Sequence, residues 1–232
     1  MHPHFIIGGE EFPLVTREVH VAGRDIPLAL VPYDTVQLER IVRIRGLRER
    51  VWPYWLEEWP ATYALAEALD KEDSREWQGP VLDLGCGSGF LAAFLRIRFG
   101  IEPFSCDFNA DACRLAAYNA NPQALPGTKV FCADFSAFPS RALFGLVFAG
   151  EMLYTRDNHK PILDFLLRHL KPGGLAYFAD AGRSAANGFS AVAQAAGFKV
   201  IVGDTRTRGD DRNMHVYTLK RPELMAGAEA GG

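Results

Sequence analysis

A chain of 232 residues, 48% of them hydrophobic, buries one substantial core but falls short of two generous domains. No apolar run reaches the roughly eighteen residues of a membrane span, and the opening MHPHFIIGGEE has neither a signal peptide's basic-then-apolar order nor a transit peptide's lack of acids, so a soluble cytoplasmic protein with no membrane partner is expected. A net charge of -3 and a pI near 6.1 supply no general field for nucleic acid and argue against such a partner.

In chain order, residues 17–21 and 26–31 alternate apolar and polar side chains around Ala-Gly-Arg-Asp, the pattern of a hairpin, with Pro27 placing its second strand at an edge. Asp34 and Gln37 have the spacing of a capping box, and Leu38, Ile41 and Val42 supply the stripe of the helix that follows. A second helix is expected to start at Trp59-Pro60, because proline suits the first turn, with Ala61, Leu65, Ala68 and Leu69 on one face. Residues 71–78 read as a polar linker. Beyond Pro80, short apolar runs alternate with helical stretches, the signature of a parallel sheet with crossover helices. Strands are expected near 81–84, 103–106, 129–132, 145–150, 174–179, 198–203 and 213–219. The segment 204–212 is too short for a crossover helix, so the last two strands should pair antiparallel. The organisation expected is an N-terminal hairpin and helical elaboration over 1–77, a main domain over 78–221 and a disordered tail over 222–232.

The most informative segment is Val81-Leu-Asp-Leu-Gly-Cys-Gly-Ser-Gly-Phe90, a buried strand running through a glycine turn into a helix. A dinucleotide fingerprint needs G-x-G-x-x-G facing a pyrophosphate. Here the third position is Phe90, which argues against a glycine-loop dehydrogenase. S-adenosylmethionine carries no phosphate, and the tighter spacing suits a close backbone approach to its amino acid portion. Gly85, Cys86, Gly87 and Gly89 would form that loop, with Asp83 bracing it or meeting the ligand's ammonium. The alternative is an ordinary strand-helix turn.

Two further acids bear on the choice. Asp107 ends the second strand of this series and Asp134 the third, and ligands of open parallel sheets bind at the carboxyl ends of strands. Asp107 suits both ribose hydroxyls, each charge-assisted bond contributing roughly 1.5–3 kcal/mol. Asp134 suits the adenine amino group, and Phe108 and Phe135 could flank the base. Helix capping is the competing role for either acid alone.

With VLDLGCGSG at 81–89, CDFN at 106–109, AD at 133–134 and LKPGG at 170–174, the chain resembles the class I, seven-strand methyltransferases over nearly all of 51–220. The resemblance implies an α/β, Rossmann-like, doubly wound, mostly parallel seven-stranded sheet with an antiparallel last strand. Within that group, Trp59-Pro60, Gly-Glu-Met-Leu-Tyr at 150–154 and Ala-Asp-Ala-Gly-Arg at 179–183 resemble the protein-lysine branch that includes the electron transfer flavoprotein beta subunit lysine methyltransferase. That branch usually has Asp where this chain has Glu151 and an acid where it has Gly145. By the same resemblance Trp59 and Gly150 border the cofactor, and a protein substrate is implied.

Methyl transfer from a sulfonium is a direct displacement, so the enzyme chiefly aligns a neutral nucleophile and no catalytic triad is expected. Glu151 would attract and orient a lysine ammonium, and Tyr154 would hydrogen-bond the same amine, provided the chain turns after Glu151. A helix-start acid and a packing aromatic are the alternatives. Arg40, Arg43, Arg45, Arg48 and Arg50 read as a solvated helix face balanced by Glu39 and Glu49. Trp52, Trp55 and Trp59 either line a channel or pack the second helix onto the sheet. The six histidines lack metal-ligand spacing, so no metal is expected. Cys86, Cys106, Cys113 and Cys132 form no CxxC pair and are read as free thiols of a reducing compartment. A small-molecule N- or O-methyltransferase and a cofactor-binding protein without activity remain as alternatives to protein-lysine methylation.

Overall fold

The computed structural model describes residues 3–45, 52–120, 129–205 and 212–223. In chain order its strands and helices are β1 (His4–Ile7), β2 (Glu10–Pro13), β3 (Val15–Val21), β4 (Arg24–Leu30), α1 (Thr35–Ile44), α2 (Pro60–Leu69), β5 (Val81–Leu84), α3 (Phe90–Phe99), β6 (Phe104–Asp107), α4 (Ala110–Ala120), β7 (Val130–Cys132), β8 (Phe144–Gly150), α5 (His159–His169), β9 (Leu170–Asp180), α6 (Phe189–Ala195), β10 (Lys199–Thr205) and β11 (Met214–Lys220). Seven strands form one sheet in the order β10-β11-β9-β8-β5-β6-β7. Neighbours β6 and β7 run parallel, as do β8 and β9, whereas β11 is antiparallel to both β9 and β10. The fold is therefore the expected Rossmann-like α/β sheet with an antiparallel last strand. No described helix is long and apolar enough to cross a membrane.

The chain divides into two units, Met1–Trp59 with Asp83–Asp134, and Pro60–Leu82 with Phe135–Gly232. In the first, β3 and β4 form the expected hairpin, closed by the two-residue turn Ala22-Gly23 with φ of 50° and 68°. A second hairpin, β1-β2, pairs Phe5 with Phe12 and was not anticipated. Its signal is short, one Gly-Gly turn between two four-residue strands. Phe5, Ile7 and Phe12 are buried with Leu14, Val31, Ile41, Trp55 and Leu115 in one cluster. Packing of Phe5 and Trp55, with ring centroids 6.0 Å apart, decides the role of that tryptophan in favour of core. Both arms of the capping box form: Gln37 N–H donates to Asp34 Oδ1 at 2.8 Å and Asp34 N–H to Gln37 Oε1 at 3.0 Å.

The arginine run departs from expectation. Arg40 pairs with Glu10 and lies over the Phe12 ring, and Arg45 donates from Nε to the buried Asp111 at 2.7 Å. These two anchor α1 rather than decorate a solvated face. Arg43 is exposed as expected; Arg48, Glu49 and Arg50 lie outside the described residues.

In the second unit α2 begins at Pro60 and buries Ala61, Ala64, Leu65, Ala66 and Leu69, while Ala68 is only half-buried. Within the expected polar linker, a short 3-10 turn, Ser74–Glu76, starts at Asp73 and brings Trp77 edge-on to Phe148. The fifth strand of the main domain, expected near 174–179, begins earlier, and the LKPGG segment is part of β9. Leu170 stands opposite Phe144 and Leu175 opposite Leu146, so the surplus residues form a bulge at Lys171–Gly174. Of the expected tail, residues 224–232 lie outside the described residues, as do 206–211 of the β10-β11 connection.

Candidate active site

In the first unit, the turn between β5 and α3 is built on three left-handed glycines, Gly85, Gly87 and Gly89, with φ of 70°, 51° and 82°. The amides of Gly85 and Cys86 both donate to the Cys106 carbonyl of β6, at 2.8 and 3.0 Å, and Gly89 N–H closes the turn on the Cys86 carbonyl at 2.7 Å. A Cβ on Gly89 would lie 2.9 Å from Ala116 Cα, so α4 comes as near to the turn as glycine allows. Gly87 instead has nothing among the described residues within 4 Å of a built Cβ.

Asp107, at the end of β6 as expected, is buried. Its Oδ2 accepts the Gly87 N–H at 3.1 Å and its Oδ1 the Asn109 N–H at 2.8 Å. Each oxygen keeps accepting capacity beyond those bonds. Burial raises the Asp107 carboxyl above its usual range despite the amides that favour its charge. Asp83 is 1% exposed; it accepts a backbone bond from Ala92, and its Oδ2 has no hydrogen-bond partner among the described residues. Burial, and then the Asp107 charge, push the Asp83 carboxyl up to about 7. A buried carboxylate oxygen without a donor is costly unless a cation or donor meets it. The site thus fits a ligand that brings an ammonium to the glycine turn.

Asp134 lies two residues past the end of β7, exposed, immediately before the 3-10 turn Phe135–Ala137. The Ala133 N–H still donates to the Asp107 carbonyl at 2.9 Å, so the ladder carries the chain to the doorstep of Asp134. Phe108 is 61% exposed, which leaves its ring open to a stacking partner. Phe135 is half-buried. Trp59 is half-buried, donating from its indole to the Tyr54 carbonyl at 3.0 Å. All four cysteines carry free thiols; Cys86, Cys106 and Cys113 are buried and Cys132 is exposed. Asn119, which sequence reasoning passed over, is buried and donates to the Ser88 carbonyl of the turn at 2.8 Å.

In the second unit, β8 ends at Gly150, where a Cβ would meet Thr62 Oγ1 of α2 at 2.4 Å. Close packing alone accounts for glycine there. The same holds for Gly145, where a Cβ would fall 1.4 Å from the Gln78 carbonyl oxygen, so the acid usual in the protein-lysine branch has no room. Glu151 follows with φ of 57°, one of two left-handed non-glycine residues among those described. Such strain persists where surrounding contacts hold it, often at functional sites. Here Glu151 N–H donates to the Ala179 carbonyl at 3.0 Å, and its buried carboxylate forms an ion pair with Arg183.

Arg183 is shared. Its guanidinium also reaches Asp180 Oδ2 at 3.3 Å, and its backbone N–H donates to Asp180 Oδ1 at 2.7 Å. Asp180, the last residue of β9, is fully buried, and burial raises its carboxyl. The chain does turn after Glu151, as its proposed partnership with Tyr154 requires, yet Glu151 is 7% exposed and Tyr154 44%. Asp180 and Arg183 belong to the 179–183 segment that carries the resemblance, but sequence reasoning assigned neither a role at the site. The available signal was an acid at the end of the fifth strand, matching those at the ends of the second and third.

Residues 81–174 match the family model described as a methyltransferase domain. The matched segment is similar to such a domain. It runs from the start of β5 to the bulge of β9 and contains the glycine turn, Asp83, Asp107, Asp134, Gly150 and Glu151. Among curated relatives, the trans-aconitate 2-methyltransferase of Azoarcus sp. (strain BH72) is 36% identical over 96 residues, 41% of this chain and 36% of that protein. The enzyme of the same name from Rhizobium rhizogenes (strain K84 / ATCC BAA-868) is 32% identical over 94 residues, 40% of this chain and 35% of its own. The chain spans about a third of the length of these relatives.

Solved structures share this fold. The N-methyltransferase NodS from Bradyrhizobium japonicum WM9, in complex with S-adenosyl-L-homocysteine, superposes with a TM-score of 0.57 at 17% identity over 81% of this chain and 98% of its own. The glycopeptide N-methyltransferase MtfA with the same ligand gives 0.55 at 18% identity over 82% and 100%. The [4+2]-cyclase SpnF gives 0.58 at 17% identity over 69% and 82%. A fold shared with a cyclase does not by itself specify methyl transfer.

Proposed function

We propose that the chain is an S-adenosylmethionine-dependent methyltransferase acting on a small-molecule acceptor. The observation that carries the cofactor half is the buried, unpartnered Asp83 Oδ2 beside a turn whose middle amide is held by Asp107. Asp83 receives the amino acid ammonium, and Asp107 accepts the ribose hydroxyls with the capacity its two oxygens retain. Gly85, Cys86, Gly87 and Gly89 supply the close backbone, with nothing among the described residues within 4 Å of a Cβ on Gly87. Asp134 reads the adenine amino group, Phe108 flanks the base, and Trp59 borders the cofactor. S-adenosylmethionine, when bound, supplies an electrophilic methyl on a sulfonium.

The acceptor half rests on the pair Glu151–Arg183 and on the relatives, which are named for the acceptor trans-aconitate, a small molecule. Glu151 already has a guanidinium for its counter-ion, so a lysine ammonium would have to displace Arg183. The same pair presents a donor and an acceptor that can orient a small polar acceptor, which is the alignment that direct displacement requires. Protein-lysine methylation is the second reading, favoured by the exposure of Tyr154, which would leave the acceptor side open to a polypeptide. On either reading Glu151 and Tyr154 orient the acceptor.

Calorimetric titration with S-adenosylhomocysteine, with NAD as control and Asp107→Ala in parallel, tests the cofactor. Binding of the former alone is expected, at least tenfold weaker in the variant, since a lost charge-assisted bond costs about 1.5–3 kcal/mol. Absence of binding, or a preference for NAD, overturns the proposal. Transfer of a labelled methyl is then followed over small carboxylic acids, small amines and lysine peptides. Labelling of peptides alone selects the second reading, and binding without transfer to any acceptor selects a cofactor-binding protein without activity.

A further inference from the structure

Asn119 occupies the last turn of α4, 5% exposed, with no charge and no place in the chemistry proposed above. Both of its amide hydrogens and its oxygen are nonetheless engaged. Oδ1 accepts the Ala29 N–H at 2.8 Å, and Nδ2 donates to the Ala29 carbonyl at 2.9 Å and to the Ser88 carbonyl at 2.8 Å. Two of these bonds reproduce what a neighbouring strand would give Ala29. Ala29 stands opposite Thr16 in β3, and its outward N–H and carbonyl would otherwise be buried without partners. The third bond enters the glycine turn.

Three successive residues of that turn are therefore held by three groups from the β6-α4 segment. Gly87 is held through Asp107 Oδ2, Ser88 through Asn119 Nδ2, and Gly89 by contact with Ala116, which lies one helical turn before Asn119. Asp107 was legible as a ligand-binding acid, but Asn119 holds the turn through the Ser88 carbonyl and ties it to the N-terminal hairpin. We propose that Asn119 is a positioning residue for the cofactor loop, its side-chain amide joining strand β4 to the Ser88 carbonyl so that the hairpin β3-β4 sets the conformation in which the glycine turn binds its ligand. This rests on the cofactor reading above.

Replacement by Asp is nearly isosteric and separates positioning from packing. The introduced carboxylate keeps the acceptor for Ala29 N–H but loses both donors and faces two carbonyl oxygens. When protonated, it regains one donor. Titration of Asn119→Asp with S-adenosylhomocysteine at pH 7.5 is expected to show a dissociation constant raised about tenfold, the scale of one buried hydrogen bond plus its unpaired partner. Lowering the pH should restore affinity in Asn119→Asp and not in Asn119→Leu, with the wild type measured alongside to subtract the response of Asp83 and Asp107. Ser88→Ala retains the carbonyl and should bind as wild type does.

Amide hydrogen exchange of the ligand-free protein supplies a readout that does not need the cofactor. The amides of Gly85–Gly89 should exchange faster in Asn119→Asp, while those of the sheet strands β8 and β9 should not change. Wild-type affinity at all pH values in Asn119→Asp, with unaltered exchange in the turn, overturns the proposal. A melting temperature lowered with unchanged affinity also overturns it, leaving Asn119 a packing residue. Should the wild type fail to bind S-adenosylhomocysteine, the cofactor reading falls, and the exchange comparison alone still decides whether Asn119 orders the turn.

Discussion

Glu151 and Arg183 form a buried ion pair between the residue that follows β8 and the loop that follows β9, and the arginine is held a second time by Asp180. One guanidinium thus serves two buried carboxylates, one of them on a strained backbone. Arg183→Ala should destabilise the protein by on the order of 2 kcal/mol. This lies below the 3–5 kcal/mol typical of a broken buried pair, because the arginine side chain is 29% exposed and solvent reaches the remaining charges. Glu151→Gln should cost less, since Arg183 keeps Asp180. The midpoint of urea unfolding measures both, and a larger loss in Glu151→Gln than in Arg183→Ala would contradict this account.

Asp83 provides a pH test. Its folded pKa is raised from the usual carboxylate range to about 7 by burial and by Asp107, so between about pH 4 and 7 the folded state binds more protons than the unfolded chain. Stability from this group is present below its unfolded pKa and is lost as pH rises through the folded one. Burial raises Asp107 and Asp180 with the same sign, whereas buried His159, lowered first by desolvation and then by Arg156, works the other way below its ordinary pKa. The difference between wild type and Asp83→Asn isolates the term. Thermal melting of the ligand-free proteins should show Asp83→Asn gaining stability relative to wild type as pH rises from 5 to 8. A constant difference across that range would mean that Asp83 is not held protonated by the fold.

The glycine turn makes a paired prediction. Gly89→Ala meets the α4 backbone at 2.9 Å with φ of 82°, so strain and overpacking together should cost roughly 2–4 kcal/mol in urea unfolding. Gly87→Ala meets no described residue within 4 Å and should cost only about 1 kcal/mol for its left-handed backbone. Its methyl group, however, enters the space assigned to the ligand, so it should lower affinity for S-adenosylhomocysteine more than stability. Equal effects of the two substitutions on both measurements would remove the distinction between a packed and an open glycine.

Much of this protein was determined by sequence alone, wherever one segment carries its own physical signal. Short apolar runs between helical stretches located all seven strands of the main sheet within a few residues, because a strand covered on both faces, as β5 and β8 are, is apolar along its length whatever it pairs with. Asp34 and Gln37 specified a helix start because both partners of the capping box lie within one turn. The glycine spacing and the acid at Asp107 located the candidate cofactor loop, since backbone conformation at positive φ and an acid at a strand end are properties of a few neighbouring residues. Tertiary structure decided what depends on groups distant in the chain. It paired Arg183 with Glu151, so the proposed ammonium site already holds a cation. It excluded an acid at Gly145, where the Gln78 carbonyl occupies the space a side chain would need. It anchored Arg45 on Asp111 and placed Asn119 between Ala29 and Ser88. The pairings result from desolvation, which makes a buried polar group find a partner wherever the chain brings one, and the exclusion at Gly145 from steric overlap; no local pattern records where either will be.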